Sequence, residues 1–473
     1  MKKDQKVKKS LDASVKDGAW FSVGEGFADR YLNALAVVLN ATPLQIGFLM
    51  SFPQFIGSLF QFLTIKILDQ TKKRKSLILI PVFLQALTRG PILLLPFLFP
   101  VTLRVPLLFL CTILYFSFGS IAGPAWNSMM GDLVDINERG DYFGKRNRYL
   151  GIVSFFSLVI GGFILNKFEQ QGIILYGFII LFAIAFFARL ISWYYLSKMH
   201  DPPYQYAEKD KFNFHEYLGY LRRTNHGLFV SHCALIIFSV NIAGPFFAQY
   251  MLEDLGFSYL QYMVITGSAV LAGFFTMSIM GKLSDRFGNK RMLTISSIII
   301  VLIPFTWLFA KDFWFLTLWN FFAGMAWAAF TLASSNFVFD TVKPSKRARV
   351  FAYISILNAG CALLGALLGG WLLRQSWSGL QYPFYLALIF SFVTRALTCI
   401  IFIPKYREVR KVESVKTFSL FFYFLVGAPY EGIRYEVFTG FNRGILGLKK
   451  AASKSVYSLK EGYQSIHRGK KKG

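Results

Sequence analysis

Long apolar runs separated by short polar loops fill most of this 473-residue sequence. A helix that crosses the hydrocarbon core of a membrane needs about 20 mostly apolar residues. Because hydrocarbon offers the backbone no hydrogen bonds, such runs fold as helices that satisfy their own N–H and C=O groups. Twelve runs meet the requirement, at 19–39, 44–66, 77–98, 106–131, 148–166, 174–197, 227–252, 259–281, 292–310, 313–337, 350–373 and 380–403. The sequence therefore predicts an all-α membrane protein with twelve transmembrane helices.

The composition excludes several other classes of protein. Only 16% of the residues are charged and 55% are apolar, whereas soluble domains average about 25% charged residues. The formal net charge of +26 would suit a nucleic-acid-binding protein. However, the basic residues lie in short clusters between apolar runs, as they do in loops that set membrane topology. We therefore expect the lipid bilayer, and not nucleic acid, as the partner of the basic charge.

The residue types needed for catalysis or cofactor binding do not occur in recognisable patterns. No GxxxxGK[ST] or HExxH motif is present, and the five histidines are scattered. The cysteines lie inside apolar runs without CxxC spacing, which argues against a disulfide framework or a zinc site; they are Cys111, Cys233, Cys361 and Cys399. We expect no metal, no cofactor and no enzymatic activity.

The distribution of Lys and Arg predicts the orientation of the twelve spans. If the N-terminus is cytoplasmic, only Arg104, Lys167, Lys311 and Arg374 fall in outside loops, which agrees with the positive-inside rule. The basic start of the chain lacks an apolar core and is interpreted as a cytoplasmic lead-in, not a signal peptide. The expected units are a basic cytoplasmic N-terminus at 1–18, an N-terminal six-helix bundle at 19–197, a cytoplasmic central loop at 198–226, a C-terminal six-helix bundle at 227–403 and a basic cytoplasmic tail at 404–473.

The two halves of the sequence repeat each other. A shift of 216 residues aligns Leu39, Leu44, Gln45, Gly57 and Asp69 with Leu255, Leu260, Gln261, Gly273 and Asp285. A shift of 208 residues aligns Asp132, Val134, Arg139, Phe143, Gly161 and Gly162 with Asp340, Val342, Arg347, Phe351, Gly369 and Gly370. Two related sets of six spans are typical of secondary transporters, which place their binding sites near the middle of the membrane.

Two loops carry a family resemblance. The segment at 281–291, GKLSDRFGNKR, resembles the loop 8–9 signature of the major facilitator superfamily. Residues 66–75 resemble a degraded loop 2–3 copy, and 123–148 is similar to bacterial members that have no assigned substrate. The resemblance implies two pseudo-symmetric six-helix bundles, alternating access, a monomeric carrier of small molecules and the bacterial inner membrane.

The same resemblance implies roles for the charged residues of these loops. In the superfamily, the loop Asp caps a neighbouring helix and pairs with basic groups, which holds one face of the carrier closed. This implies gating by Asp285, Arg286 and Arg291, and by Asp69 with Arg74. Two further pairs, Asp132 with Arg139 and Asp340 with Arg347, flank the loops after spans four and ten and are expected to belong to the same gate. The alternative is that these charges only set topology.

Acidic residues inside the first span form the strongest candidate site. Glu25, Asp29 and Asn33 are four residues apart and share one face of a continuous helix, with Arg30 beside them. Asp29 would lie about 15 Å into the membrane, where a charge costs at least ~2.5–3.5 kcal/mol. A carboxyl group in such surroundings binds a proton more readily than in water, which proton coupling requires. Alternatively, these acids form structural ion pairs with Arg30 or Arg89.

Further polar side chains could line a central cavity. Arg89 precedes Gly90-Pro91, where a helix break could expose backbone, and it could meet an acid or an anionic substrate. The other members of the predicted cavity are Trp126 and Asn127 beside Pro124, and Asn241 and Gln249, which correspond to Glu25 and Asn33 in the second half. Each could instead serve helix packing. Arg189 and Arg395 lie near helix ends and could snorkel, which favours a structural role.

We predict proton-coupled transport of a small organic solute by alternating access. One alternative is a membrane sensor or scaffold that signals through the basic tail; another is a lipid-transporting member of the same fold. The tail contains an apolar run, Phe418–Val426, that is too short to span the membrane and is expected to lie on anionic lipid of the cytoplasmic leaflet.

Overall fold

The computed structural model describes residues 2–71, 73–134, 139–202, 214–221, 224–343, 346–375, 382–410 and 412. The apolar run Phe418–Val426 and nearly all of the predicted tail lie outside these residues. Each of the twelve predicted spans contains helix in its described residues. Ten helical segments of the described chain are long and apolar enough to cross a membrane.

The first six spans are built from eight helices. They are α1 (Lys2–Phe27), α2 (Leu32–Val38), α3 (Pro43–Thr71), α4 (Arg74–Leu87), α5 (Gly90–Leu98), α6 (Val101–Leu133), α7 (Arg139–Gln170) and α8 (Ile174–Lys198). Helices α1 and α2 form span one, and α4 and α5 form span three. A short helix, α9 (Phe214–Leu221), lies between the two halves of the sequence.

The second six spans follow the same order. They contain α10 (Asn225–Asn241), α11 (Phe247–Gln249), α12 (Tyr259–Phe287), α13 (Asn289–Phe309), α14 (Phe313–Thr341), α15 (Arg347–Leu372) and α16 (Phe384–Phe402). Span seven consists of α10, α11 and a π-helical turn at Tyr250–Asp254. Each half packs in the same way: span one on spans five and six, span two on span four, and span three on spans four and six, with the matching pairs in the second half. This confirms two pseudo-symmetric six-helix bundles.

The N-terminal segment extends the first span. Helix α1 begins at Lys2 and continues without interruption to Phe27, so the predicted lead-in is helical. Ser10 and Asp17 of this extension are buried. Its backbone carbonyls accept hydrogen bonds from Tyr142 and Arg146 of α7. These contacts hold the beginning of the chain against the first bundle.

Both halves have a broken first span and a capped second span at matching positions. Span one breaks after Ala28 into a 3₁₀ turn at Asp29–Tyr31, and span seven breaks into a 3₁₀ turn at Gly244–Phe246. The second span of each half starts with a reciprocal capping box. Thr42 and Gln45 form it in the first half, and Ser258 and Gln261 form it in the second.

The two halves meet mainly through α3 with α15 and α7 with α12. We call the end of the bundle at which α1 begins the terminal face, and the opposite end the far face. Near the far face, the Tyr262 hydroxyl donates to the Arg30 carbonyl at 3.3 Å, and the Tyr31 and Tyr262 rings are 6.1 Å apart. The Tyr259 N–H donates to the Glu169 carboxylate at 3.4 Å. These contacts join the two halves near the far face.

Glycines allow close helix contacts at specific points. A Cβ atom on Gly365 of α15 would lie 2.1 Å from the Phe238 carbonyl oxygen of α10. A Cβ atom on Gly57 or Gly369 would also lie within 3 Å of a backbone atom, whereas one on Gly273 would meet none of the described atoms within 4 Å. A packing role therefore fits the first three and not Gly273, although Gly57 and Gly273 correspond in the repeat.

We expect the Gly365→Ala substitution to destabilise the second bundle, because α10 and α15 would have to separate. Overpacking of this kind costs about 1–3 kcal/mol. Gly273→Ala is the matched control, and it should be neutral or slightly stabilising because Ala favours the helix by up to ~1 kcal/mol. Thermal midpoints of the two purified variants in one detergent would test this. Equal midpoints would contradict the close contact.

Candidate functional site

Two charged residues lie at breaks in their helices. Asp29 is the first residue of the 3₁₀ turn that separates α1 from α2. Arg89 lies between α4 and α5, where Gly90-Pro91 starts the second helix. Because proline cannot donate a backbone hydrogen bond, a helix start at this point is favoured. Each break brings its charged side chain into the interior of the first bundle.

Asp29, Arg89 and Tyr115 form a closed triad. The Arg89 Nη2 donates to Asp29 Oδ1 at 2.6 Å and to the Tyr115 hydroxyl at 2.8 Å. The Tyr115 hydroxyl donates to Asp29 Oδ2 at 2.9 Å. Both oxygens of the Asp29 carboxylate therefore accept a hydrogen bond. The triad joins spans one, three and four.

Arg89 is the fixed member of this triad. Its side chain is 3% exposed, against 29% for Asp29. Its Nη1 donates to the Ala185 carbonyl of α8 at 2.9 Å, and the guanidinium lies 4.6 Å from the centre of the Tyr115 ring. Gly24 leaves room for this guanidinium, since a Cβ there would lie 2.7 Å from Nη1.

The triad lies on the wall of a cavity of about 440 Å³. Asp29, Arg89, Gln54, Thr88 and Thr112 supply polar groups. Aromatic rings and aliphatic side chains supply most of the remaining wall; they include Phe21, Phe116, Phe182, Leu32, Met50 and Ile92. The cavity also meets Glu25 and Arg30, which pair with each other at 2.7 Å. This volume is within the range of small-molecule sites, about 300–1,000 Å³.

The cavity contains only some of the residues that the sequence suggested. Glu25, Asp29, Arg30 and Arg89 line it. Asn33 does not, because the 3₁₀ turn ends the helical face that Glu25 and Asp29 would have shared with it. Its Oδ1 is buried without a hydrogen-bond partner among the described residues. Tyr115 was not predicted, because a single tyrosine in an apolar span resembles a packing residue.

Four other predicted cavity residues lie elsewhere. Trp126 packs against Phe143 and the Arg146 guanidinium, and Asn127 is exposed. The Asn241 amide donates to the Ile237 carbonyl of its own helix. The Gln249 amide donates to Glu253. None of the four lines the cavity around Asp29.

A second polar network supports the triad from behind. Gln85, one helical turn before Arg89, donates to the Tyr115 carbonyl at 3.1 Å. Its oxygen accepts two hydrogen bonds from Arg189. Arg189 also donates to the Ser192 hydroxyl, which donates to Asp17 at 2.6 Å. Arg189 is 7% exposed, so it does not snorkel. The network links the N-terminal extension to the triad.

The terminal face of the first half carries a network around Arg74. Arg74 is fully buried and pairs with Asp132 at 2.5 Å and with Asp201 at 2.9 Å. The second oxygen of Asp201 accepts from the Lys75 N–H at the start of α4. A carboxylate at this helix start is favoured by the helix dipole. The network connects spans three and four with the segment after span six.

The second half repeats this arrangement with different groups. Glu408 accepts from the Lys290 N–H at the start of α13 at 2.7 Å. Asp340 accepts from Asn289 and pairs with Arg410 at 2.7 Å. Arg347, which the sequence grouped with Asp340 in the predicted gate, instead donates to the Phe339 and Val342 carbonyls. The Asp340–Arg347 pair is therefore replaced by Asp340–Arg410.

Several members of the predicted gate cannot be placed. The side chains of Asp69, Arg139 and Asp285 lie outside the described part of the structure, so their pairing with Arg74, Asp132 and the basic loop residues stays a prediction. Arg286 is exposed and its guanidinium lies 5.1 Å from the Phe287 ring. Arg291 donates to the Phe287 carbonyl.

The family model "Major Facilitator Superfamily" matches residues 27–237 and 229–456 of this sequence. One match covers the first six spans and the other covers the second six spans, which agrees with the repeated packing of the two halves. The chain belongs to the major facilitator superfamily. This confirms the resemblance that the loop segments indicated.

Curated relatives match smaller parts of the chain. The multidrug resistance protein MdtH of Salmonella arizonae is 28% identical over 137 residues, which are 29% of this chain and 32% of that protein. MdtH of an Enterobacter species is 31% identical over 94 residues, or 20% of this chain and 23% of that protein. The match thus spans a third or less of these relatives.

Solved structures match over most of the chain. A D-xylose–proton symporter has a TM-score of 0.68 at 13% identity and covers 87% of this chain and 100% of its own. The nucleoside transporter NupG, as its D323A mutant, has a TM-score of 0.66 at 14% identity and covers 84% and 100%. At this identity the likeness shows the fold alone.

We expect Tyr115→Phe to weaken the triad while leaving the ring in place. The substitution removes a donor to Asp29 and an acceptor for Arg89, and an unsatisfied buried polar group costs about 1–3 kcal/mol. The thermal midpoint of the purified protein should fall. Tyr149→Phe is the control, because Tyr149 is 50% exposed. An equal effect of both substitutions would argue against the triad.

Proposed function

We propose that the protein transports a small polar organic solute by alternating access and that a proton carried by Asp29 drives this transport. The observation that supports the proposal is the triad of Asp29, Arg89 and Tyr115 on the wall of a solute-sized cavity. A charged carboxylate inside a membrane protein has a high free-energy cost. Here the Asp29 carboxylate faces the cavity, whereas its partner, Arg89, is held in place. Membership of the superfamily supports transport of a small molecule by this fold.

The protonation state of Asp29 would control the triad. As a carboxylate, Asp29 accepts from Arg89 and Tyr115, and charge-assisted hydrogen bonds of this kind are strong. A proton from the cavity would cancel the charge of the carboxylate and weaken its attraction to Arg89. The Arg89 Nη2 would then be available to an oxygen of the solute, while Nη1 keeps its bond to Ala185. Proton and solute binding would thus be linked at one guanidinium.

The position of Asp29 supports a link to alternating access. The residue lies in the 3₁₀ turn between α1 and α2, and the carbonyl of the next residue, Arg30, accepts from Tyr262 of the opposite half. A change in the Asp29–Arg89 pair would therefore act on the turn that carries the far-face contact. Opening of the far face requires the loss of this contact and of the Tyr31–Tyr262 packing.

The cavity supports a polar solute of modest size. The wall of this cavity of about 440 Å³ contains aromatic rings together with charged and amide groups, which suits a molecule that has both an apolar face and hydrogen-bonding groups. The similar proteins include a D-xylose–proton symporter, a nucleoside transporter and a multidrug resistance protein. We place the protein in a bacterial inner membrane with its terminal face in the cytoplasm.

The test is transport by the purified protein in proteoliposomes with an imposed pH gradient. The probes are labelled D-xylose, labelled uridine and a fluorescent cationic dye. We expect wild-type protein to move at least one probe and to move protons with it. Asp29→Asn should lose accumulation driven by the pH gradient but keep exchange of labelled for unlabelled solute, because exchange needs no net proton movement.

Glu25→Gln is the matched control, since Glu25 lines the same cavity but pairs with Arg30 and takes no part in the triad. It should keep proton-driven accumulation. Accumulation by Asp29→Asn at the wild-type level would refute Asp29 as the proton carrier. Loss of coupling in Glu25→Gln alone would assign that role to Glu25. Failure of wild-type protein to move any of the probes would contradict the proposed solute class.

A further inference from the structure

Arg395 of α16 is a buried cation with almost no partners among the described residues. Its side chain is 2% exposed. Its Nη1 donates to the Ile300 carbonyl of α13 at 2.7 Å. Its Nε is buried without a hydrogen-bond partner in the described part of the chain. The expected snorkelling of Arg395 toward water is therefore not what the structure shows.

The other buried arginines in the described part of the chain reach carboxylates. Arg74 pairs with two aspartates and Arg89 with one. Arg189, which corresponds to Arg395 in the first half, reaches Asp17 through the Ser192 hydroxyl. Arg395 has no described carboxylate within ion-pair distance. The second half therefore has the corresponding arginine but no described counterpart of the Asp17 carboxylate.

A cluster of hydrogen-bonding side chains adjoins Arg395 through Cys399, which interacts with Arg395, Ser297 and Tyr406. Cys399 lies four residues later on the same helical face. The Ser297 hydroxyl lies within hydrogen-bond distance of the His232 Nε2, at 3.1 Å. The centres of the His232 and Tyr406 rings are 5.7 Å apart. The Tyr406 hydroxyl is also buried without a described partner. The cluster joins spans seven, nine and twelve with the segment after span twelve.

We propose that a small monovalent inorganic anion, chloride under cellular conditions, binds beside Arg395 and supplies its missing counter-charge. A guanidinium stays protonated in proteins, and an isolated buried charge is costly unless it is paired. The Arg395 Nε provides the charge-bearing donor, and the Tyr406 hydroxyl, which also lacks a described partner, provides a neutral donor in the same cluster. The burial of both residues favours a free monatomic ion over a lipid phosphate group. The site lies in the opposite half from the Asp29 cavity.

The first test is the thermal midpoint of the full-length protein in lipid nanodiscs at constant ionic strength. Replacement of gluconate by chloride should raise the midpoint by a few degrees in a saturable way, because an ion that binds only the folded state stabilises it. Bromide should act like chloride, and sulfate should not. Equal midpoints in gluconate and chloride would overturn the proposal.

Two variants separate this site from a general salt effect. Arg395→Gln removes the charge, and Cys399→Asp places a carboxylate one turn away from the arginine. Both should lose the dependence on chloride, and the second should do so with Arg395 still present. Arg374→Gln is the control, because Arg374 is an exposed arginine at the far-face end of span eleven, and it should keep the wild-type response. A wild-type chloride response in Arg395→Gln would overturn the proposal.

A measurement on wild-type protein covers the case in which a variant does not fold. The chloride-35 NMR line should broaden in the presence of the protein, and excess bromide should reverse this broadening by competition. A chloride line that is unaffected by the protein would contradict the site regardless of the variants.

Discussion

The pairing of charges inside the bundle constrains the rest of this structure. A carboxylate or a guanidinium in hydrocarbon must be neutralised by a partner or by water. The Asp29–Arg89 pair meets this requirement by joining spans one and three, and Tyr115 adds span four. Arg74 does the same at the terminal face with Asp132 and Asp201. Ion pairs therefore join the helices of the first bundle at two levels, one at the Asp29 cavity and one at the terminal face. The parts of the helices between these two levels can be apolar.

The two halves share the features that the fold requires and differ in those that belong to the site. The capping boxes, the breaks in spans one and seven, and the carboxylates at the starts of α4 and α13 occur in both halves. They satisfy backbone groups, which every span requires. The acidic residue at the break occurs once: Asp29 corresponds to Pro245. The scaffold is symmetric because its constraints act on both halves, whereas the charged triad is specific to the first half.

The sequence predicted the spans well because hydrophobic length is a local property. It could not predict that Asp29 pairs with Arg89 and Arg30 with Glu25, because both choices were open until the helices were placed side by side. The break after Ala28 was also hidden, since span one has neither glycine nor proline at that point. Its counterpart in span seven, Gly244-Pro245, was a signal in the repeat that could have indicated it. The loss of Asn33 from the cavity follows from that break.

Asp29 and Arg89 lie in different environments, and these environments determine which of the two side chains is free to change its contacts. Arg89 is held by the Ala185 carbonyl, the Tyr115 hydroxyl and the space left by Gly24, and its side chain is 3% exposed. Asp29 is 29% exposed toward the cavity and lies in a 3₁₀ turn, which is held by fewer regular helical bonds than the flanking helices. The carboxylate is therefore open to the cavity, whereas the guanidinium is enclosed. Under the proposed mechanism, the arginine acts as the fixed reference, and protonation and movement are confined to Asp29 and its turn. The same turn carries the far-face contact, so a local change in charge has a direct structural route to the opening of that face.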